Sequence, residues 1–186
     1  MGGGMRVTVK IEGIDEALVA IDPKAYKKAL GKTVRRMGQR FRSTATKEVR
    51  KTYNIKSKDL KSNMRTVTKT TKEGTEWRFY VRSPQINVVK FGARQTKKGV
   101  SVKIRKDRGR KVIKGAFIAN GHFADQEYQR VFIRSTKSRL PIEAKFSLSV
   151  TQMFNKDVLD KAKKEVDENY ANEFKHHLEY YLGKIR

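Results

Sequence analysis

Val7, Val9 and Ile11 alternate with Arg6, Thr8, Lys10 and Glu12, the period of a strand with one covered face. Asp22-Pro23 then supplies a capping side chain and a proline suited to a first helical turn. From there Tyr26, Leu30, Val34, Met37, Phe41, Ala45 and Val49 recur at helical spacing, so the pattern predicts a long amphipathic helix from Pro23 to about Tyr53. Gly31 and Gly38 fall inside it. Each costs a helix interior about 1 kcal/mol relative to Ala and permits a bend or a close approach of another element. The opposite face, from Lys24 to Lys51, is basic with Glu48 as its one acidic neighbour.

Ser57 to Met64 reads as a short helix capped by Ser57, followed by a Thr-rich strand around Val67 and a turn at Lys72-Glu73-Gly74. Trp77, Phe79 and Val81 alternate with Glu76, Arg78, Tyr80 and Arg82, which predicts a hairpin with an aromatic inner face. Further strands are expected at Ile86 to Phe91, Val100 to Arg105, Arg110 to Ile118 and Tyr128 to Arg134, with Asp107-Arg108-Gly109 turning the middle pair. Ser149 and Gln152 stand in capping-box spacing. Leu159, Ala162, Val166, Tyr170, Phe174, His177 and Tyr181 then mark a helix ending near Gly183. The expected fold is α+β in one domain over residues 1–186. A mostly antiparallel central sheet carries a long N-terminal helix and a C-terminal helix over 150–183, behind a flexible leader at 1–5 and with a basic hairpin arm at 92–115.

Length supports one core, and the 37% hydrophobic content, though low, is organised by these periods, so wholesale disorder is not expected. A net charge of +25 changes the picture more: such self-repulsion is relieved by a polyanion or an acidic partner. The chain has no Cys, which excludes disulfides and thiolate metal sites. No apolar run reaches the length of a membrane span, and the first residues lack a signal-peptide core, so the chain reads as made in the cytoplasm with no membrane partner. His176 and His177 are adjacent and cannot share one helical face, while a helical zinc pair needs a separation of about four residues. The carboxylates from Asp157 to Glu179 are interleaved with lysines, the pattern of a solvated face with spaced ion pairs. With no phosphate loop, dinucleotide fingerprint or nucleophile elbow in view, no enzyme, catalytic residue, cofactor or metal is expected.

The residues singled out for contact are Arg94, Lys97, Lys98, Lys103, Arg105, Lys106, Arg108, Arg110, Lys111 and Lys114, set against Asp107 alone. Such density suits phosphate contacts, and it equally suits an acidic protein surface. Without interleaved aromatics to stack bases, any DNA binding should be backbone-directed and salt-sensitive. Val100, Val102, Ile104 and Val112 are expected to form an apolar stripe that a neighbouring subunit covers, with the arm mobile until assembly. Charge reversal at Lys103, Arg105, Arg108 and Arg110 is expected to leave the fold intact.

The segment Phe91-Gly92-Ala93-Arg94-Gln95-Thr96-Lys97-Lys98-Gly99-Val100-Ser101-Val102, with Gly115-Ala116-Phe117-Ile118 downstream, resembles the phage minor tail protein Z family. Arg139-Leu140-Pro141-Ile142 before Ser149-Val150-Thr151-Gln152-Met153-Phe154 is similar to a later signature of that family. One departure is Glu143-Ala144-Lys145-Phe146-Ser147-Leu148, where the family has a glycine- and proline-containing stretch. The resemblance implies a structural virion protein that completes the head-proximal end of a phage tail and mediates tail-to-head joining at the neck. It further implies a homo-oligomer, by analogy with tail symmetry a hexameric ring, with packaged double-stranded DNA nearby. Its partners would be a tail terminator or tail tube protein and a head-completion or connector protein. The alternative left open by charge is a sequence-nonspecific double-stranded nucleic-acid-binding protein, and a nuclease stands behind it.

Overall fold

A computed structural model describes residues 4–10, 22–71, 74–123 and 126–184. Residues 1–3 of the leader, Ile11 and Glu12 of the first strand pattern, and Lys72-Glu73 of the expected turn lie outside them. Met5, counted with the leader, is the first residue of strand β1, Met5–Lys10. The chain divides into two compact units. One comprises Thr46–Asn63 and Arg82–Phe154; the other comprises Gly4–Ala45, Met64–Val81 and Asn155–Arg186.

The second unit is built on helix α1, Pro23–Thr52, whose residues up to Ala45 belong to it. Asp22 starts the helix as its sequence suggests, its Oδ1 accepting from the amides of Lys24 at 2.8 Å and Ala25 at 2.9 Å. All the apolar positions of the helical pattern are buried. The same unit holds an antiparallel sheet ordered β1-β3-β2, in which β2 is Met64–Thr71 and β3 is Gly74–Val81. Trp77, Phe79 and Val81 on the central strand point into this core. Phe41 sets its ring edgewise against Trp77 at 5.7 Å and Phe79 at 5.6 Å. Gly38 lies directly beneath the Trp77 indole: a Cβ there would sit 2.3 Å from two ring atoms. Of the two outcomes open to the helix glycines, close approach is the one realised at this position.

The C-terminal helix departs from its expected bounds. Ser149 and Gln152 do form a capping box, but it opens only a short helix α3, Val150–Met153, and Asn155 then caps a separate helix α4, Lys156–Gly183. The Asn155 side chain accepts the Val158 amide at 3.0 Å and starts a new helix, an end that the hydrophobic period alone does not show. Val158, Ala162, Val166 and Leu178 are its buried residues, and Phe174 packs edgewise on Tyr26 at 5.5 Å.

The first unit holds most of the strands, and here the expectation of one central sheet is corrected. Among the described residues the eleven strands form four small antiparallel sheets. The predicted strand at Ile86 to Phe91 stops after β4, Gln85–Asn87, because the Asn87 side-chain Oδ1 accepts the Val89 amide at 3.1 Å and caps a 3-10 turn over Val88–Phe91. The same oxygen accepts from the Val131 amide at 3.0 Å, so one buried side chain ends a strand and joins it to a neighbour. Gly115, at φ 69°, divides the predicted strand Arg110 to Ile118 into β7, Lys111–Lys114, and β8, Ala116–Phe123. β8 pairs with β9, Gln126–Arg134, which also pairs with β10, Ile142–Ala144; β11, Phe146–Ser149, pairs with β4. The short helix α2 is Ser57–Lys61. Lys56 holds its N-cap position without a side-chain bond, so Ser57 is its first residue and not its cap.

Candidate functional site: a cationic sheet and its loop

The ten basic residues singled out above fall on or beside a three-stranded sheet, ordered β5-β6-β7, in which β5 is Arg94–Thr96 and β6 is Gly99–Val102. The expected strands Val100 to Arg105 and Arg110 to Ile118 are corrected: β6 ends at Val102, β7 covers only Lys111–Lys114, the pair is joined through residues 103–110 instead of a tight turn, and β5 is added on the far side. The register pairs Val100 with Gln95 and Ile113, and Ser101 with Arg94 and Val112. Cross-strand partners share a face, so Val112 lies on the side opposite Val100 and Val102. That separates the stripe proposed from the sequence. Val100 and Val102 are buried in a cluster with Val88, Ala116 and Val131, with Ile113 packed against it, whereas Val112 is 47% exposed. The apolar face of the arm is therefore covered within its own chain, without a neighbouring subunit.

Residues 103–110 connect β6 to β7 and are tied to the chain that follows α1. Ile104 accepts the Asn54 amide through its carbonyl at 2.8 Å, and the Lys106 amide donates to the Thr52 carbonyl at 2.8 Å. Tyr53 and Arg105 form a bridge, with the Arg105 guanidinium 5.6 Å from the centre of the Tyr53 ring. Arg105 also grips Asp107 in a fork, Nε to Oδ1 at 2.9 Å and Nη2 to Oδ2 at 2.8 Å. The Asp107 hydrogen bond holds the guanidinium above its ordinary range, and the carboxyl is held below its own by Arg105. Arg110 donates from Nη2 to the carbonyls of Gly92 at 2.6 Å and Ser101 at 2.8 Å, and from Nε to the Ser101 hydroxyl at 2.9 Å. It staples the loop to the sheet.

The ten cations thus sort into two kinds. Arg105 and Arg110 are held by partners of their own chain, so reversing their charge would break the loop's anchors rather than leave the fold untouched. Arg94, Lys97, Lys98, Lys103, Lys106, Arg108, Lys111 and Lys114 form no ion pair among the described residues, and Lys103 alone of these is half-buried. Lys97 and Lys98 form the tip between β5 and β6, closed by Gly99 at φ 138°, where a Cβ would lie 2.1 Å from the Ile113 carbonyl oxygen.

The one-signed face of α1 is also modified. Arg40 reaches Glu165 at 2.9 Å and Glu173 at 3.3 Å, and Arg36 stands 3.8 Å from Glu173, so part of that charge is answered by α4. Lys164 with Glu168 and Lys175 with Glu179 are the spaced pairs that the sequence suggests for α4 itself. A second cationic concavity, of about 880 Å³ and unanticipated from sequence, is lined in the first unit by Lys56, Lys58, Lys90, Arg130 and the rings of Tyr128 and Phe146. Lys90 is answered by Asp59 at 3.0 Å, and Arg130 lies over Tyr128 at 4.3 Å. Lone basic residues scattered through the sequence give no warning of it.

Among the described residues no group of three or more His, Asp or Glu stands close enough to hold a metal ion, and no helix is long and apolar enough to cross a membrane. What the fold presents is charge on a braced sheet. The chain belongs to the family of prophage minor tail protein Z (GPZ), whose model matches residues 11–184. It is therefore a bacteriophage minor tail protein, from a family of structural tail components and not of enzymes, and its place is the virion. No curated protein and no solved structure matches the chain.

Proposed function

We propose that this chain completes the head-proximal end of the tail and mediates tail-to-head joining at the neck, in a ring through which the DNA passes. The observation that carries the reading is the set of eight cations without ion pairs gathered on one sheet and its connecting loop, with the sheet's inner valines already buried. A folded patch of one sign is a preformed surface for an acidic neighbour, and in a phage neck the candidates are connector or terminator proteins and packaged DNA. A chain carrying +25 opposes its own association in free solution, so the homo-oligomeric ring, hexameric by tail symmetry, forms on its partners.

The test uses Lys97→Glu, Lys98→Glu, Lys106→Glu and Arg108→Glu together, which spares Arg105 and Arg110. Tails assembled with this variant and mixed with DNA-filled heads should join about tenfold less or worse, while far-UV circular dichroism matches the parent. Normal joining by the folded variant removes the patch from the mechanism. Duplex binding by the parent that is tight near physiological salt would favour the nucleic-acid-binding alternative instead.

A further inference from the structure

Beside the 103–110 loop, within the first unit, lies a cleft of about 280 Å³ whose lining mixes two chemistries. Its floor is aliphatic: Val102 is buried, and Ile104 and Leu148 are half-buried. Its rim is cationic, with Arg108 and Lys111 exposed and in no ion pair among the described residues. The one carboxylate of the loop, Asp107, is gripped by Arg105 and only feels the field of Arg108, so the rim stays net cationic.

We propose that this cleft docks a segment of a partner protein in which a carboxylate sits next to an aliphatic side chain. The inference rests on reading the surrounding cations as a contact surface and names the class of partner for it. Duplex DNA satisfies the rim with phosphates and leaves the floor without an occupant, because backbone contacts supply no aliphatic group. An acidic segment with a leucine or valine beside the carboxylate satisfies both: the side chain fills the floor, and Arg108 and Lys111 meet the charge. A second copy is the poorer occupant, since it brings the same +25.

Gly109 provides the probe. It lines the cleft, and a Cβ built on it meets nothing within 4 Å, so Gly109→Trp puts bulk at the cleft without a clash at its root and without altering charge. Fluorescein-labelled Leu-Asp-Leu-Glu-Leu-Asp and Ser-Asp-Ser-Glu-Ser-Asp peptides, equal in charge, are titrated with the full chain by anisotropy, alongside a labelled DNA duplex. The leucine peptide should bind about tenfold tighter than the serine peptide. Gly109→Trp should erase that difference and leave duplex binding unchanged, and the equally uncharged Leu148→Ser should do the same with circular dichroism as the folding check. Equal binding of the two peptides overturns the proposal, as does a difference that survives Gly109→Trp. Loss of duplex binding in Gly109→Trp would assign the cleft to DNA. Self-association of the parent that Gly109→Trp abolishes would assign it to a second copy. If instead the four-charge variant joins heads normally while the peptide difference stands, the joining function fails and the cleft survives.

Discussion

The two glycines inside α1 should respond in opposite directions to the same substitution. At Gly31 the nearest atom to an added Cβ is the Thr75 hydroxyl at 3.8 Å, an ordinary contact. Gly31→Ala therefore gains the helix propensity of alanine, about 0.5–1 kcal/mol. At Gly38 the new methyl would stand 2.3, 2.3 and 2.4 Å from three atoms of Trp77, more than 1 Å inside contact distance by comparison with the ordinary ~3.5–4.0 Å. Trp77 is 2% exposed, stacked on Phe79 at 5.8 Å with 6° between the planes and touched edgewise by Phe41, so the indole has no free direction in which to retreat. Overpacking of this kind costs about 1–3 kcal/mol, and three clashing ring atoms put it at the upper end. After the propensity gain, Gly38→Ala should lose about 2 kcal/mol. Trp77 is the single tryptophan of the chain, so intrinsic fluorescence during urea unfolding reports the unit that contains both glycines. The Gly38→Ala midpoint should fall by about 1 M and the Gly31→Ala midpoint should rise. Midpoints moving in the same direction for both variants would refute the packing argument, and a fall for Gly31→Ala would refute the propensity argument.

Arg110→Ala should destabilise the arm by about 1 kcal/mol, since three bonds to Gly92 and Ser101 are lost from an exposed site, whereas Lys111→Ala should stay within about 0.5 kcal/mol. Faster hydrogen exchange at residues 99–102 in the first variant alone checks it. Asn87→Leu should cost about 1–3 kcal/mol because the buried Val131 amide loses its acceptor, and the exchange protection of that amide should drop selectively. Burial lowers the pKa of His177, opposed by Glu173 and reinforced by His176, Lys32 and Arg36. Its depressed folded value means the unfolded chain binds the proton first, so its contribution is complete above about pH 6.5 and is lost as pH falls from there toward the folded value. Thermal melts from pH 7 to 5 should show a decline that His177→Gln reduces; an unchanged slope would count against it.

The first helix is legible in the sequence because its seven apolar positions all belong to one face and local capping agrees with them, so nothing distant is needed to read it. The grouping of the strands is not legible. It turns on single residues whose partners are far along the chain: Asn87 joins Val131, and Gly115 breaks a run that by alternation looks continuous. The start of α4 is a local matter, since Asn155 caps Val158 three residues on, but an apolar period that runs on across the break hides it. Within the basic segment, charge counts Arg105 and Arg110 with the lysines. The planar guanidinium lets each make several directed bonds at once, but Arg94 and Arg108 carry the same group without such bonds, so residue type alone does not mark the anchors.

Net charge by itself points to an acidic partner without locating it, and the sorting of cations supplies the location. Arg36 and Arg40 lie one turn apart on α1 and find Glu165 and Glu173, two turns apart on α4, so the spacing on each helix delivers an answer to charge that looked unopposed. Arg105 and Arg110 are absorbed by a carboxylate and by backbone carbonyls. What survives around 94–114 is not a loose tail that could collapse onto any anion. It sits on a sheet whose inner valines are buried and on a loop bonded to Thr52, Tyr53 and Asn54. A flexible basic arm would lose conformational entropy on meeting its partner, and this one has already lost it in folding. Preorganised charge of that kind favours a partner of fixed shape, which a sequence-indifferent DNA backbone does not require.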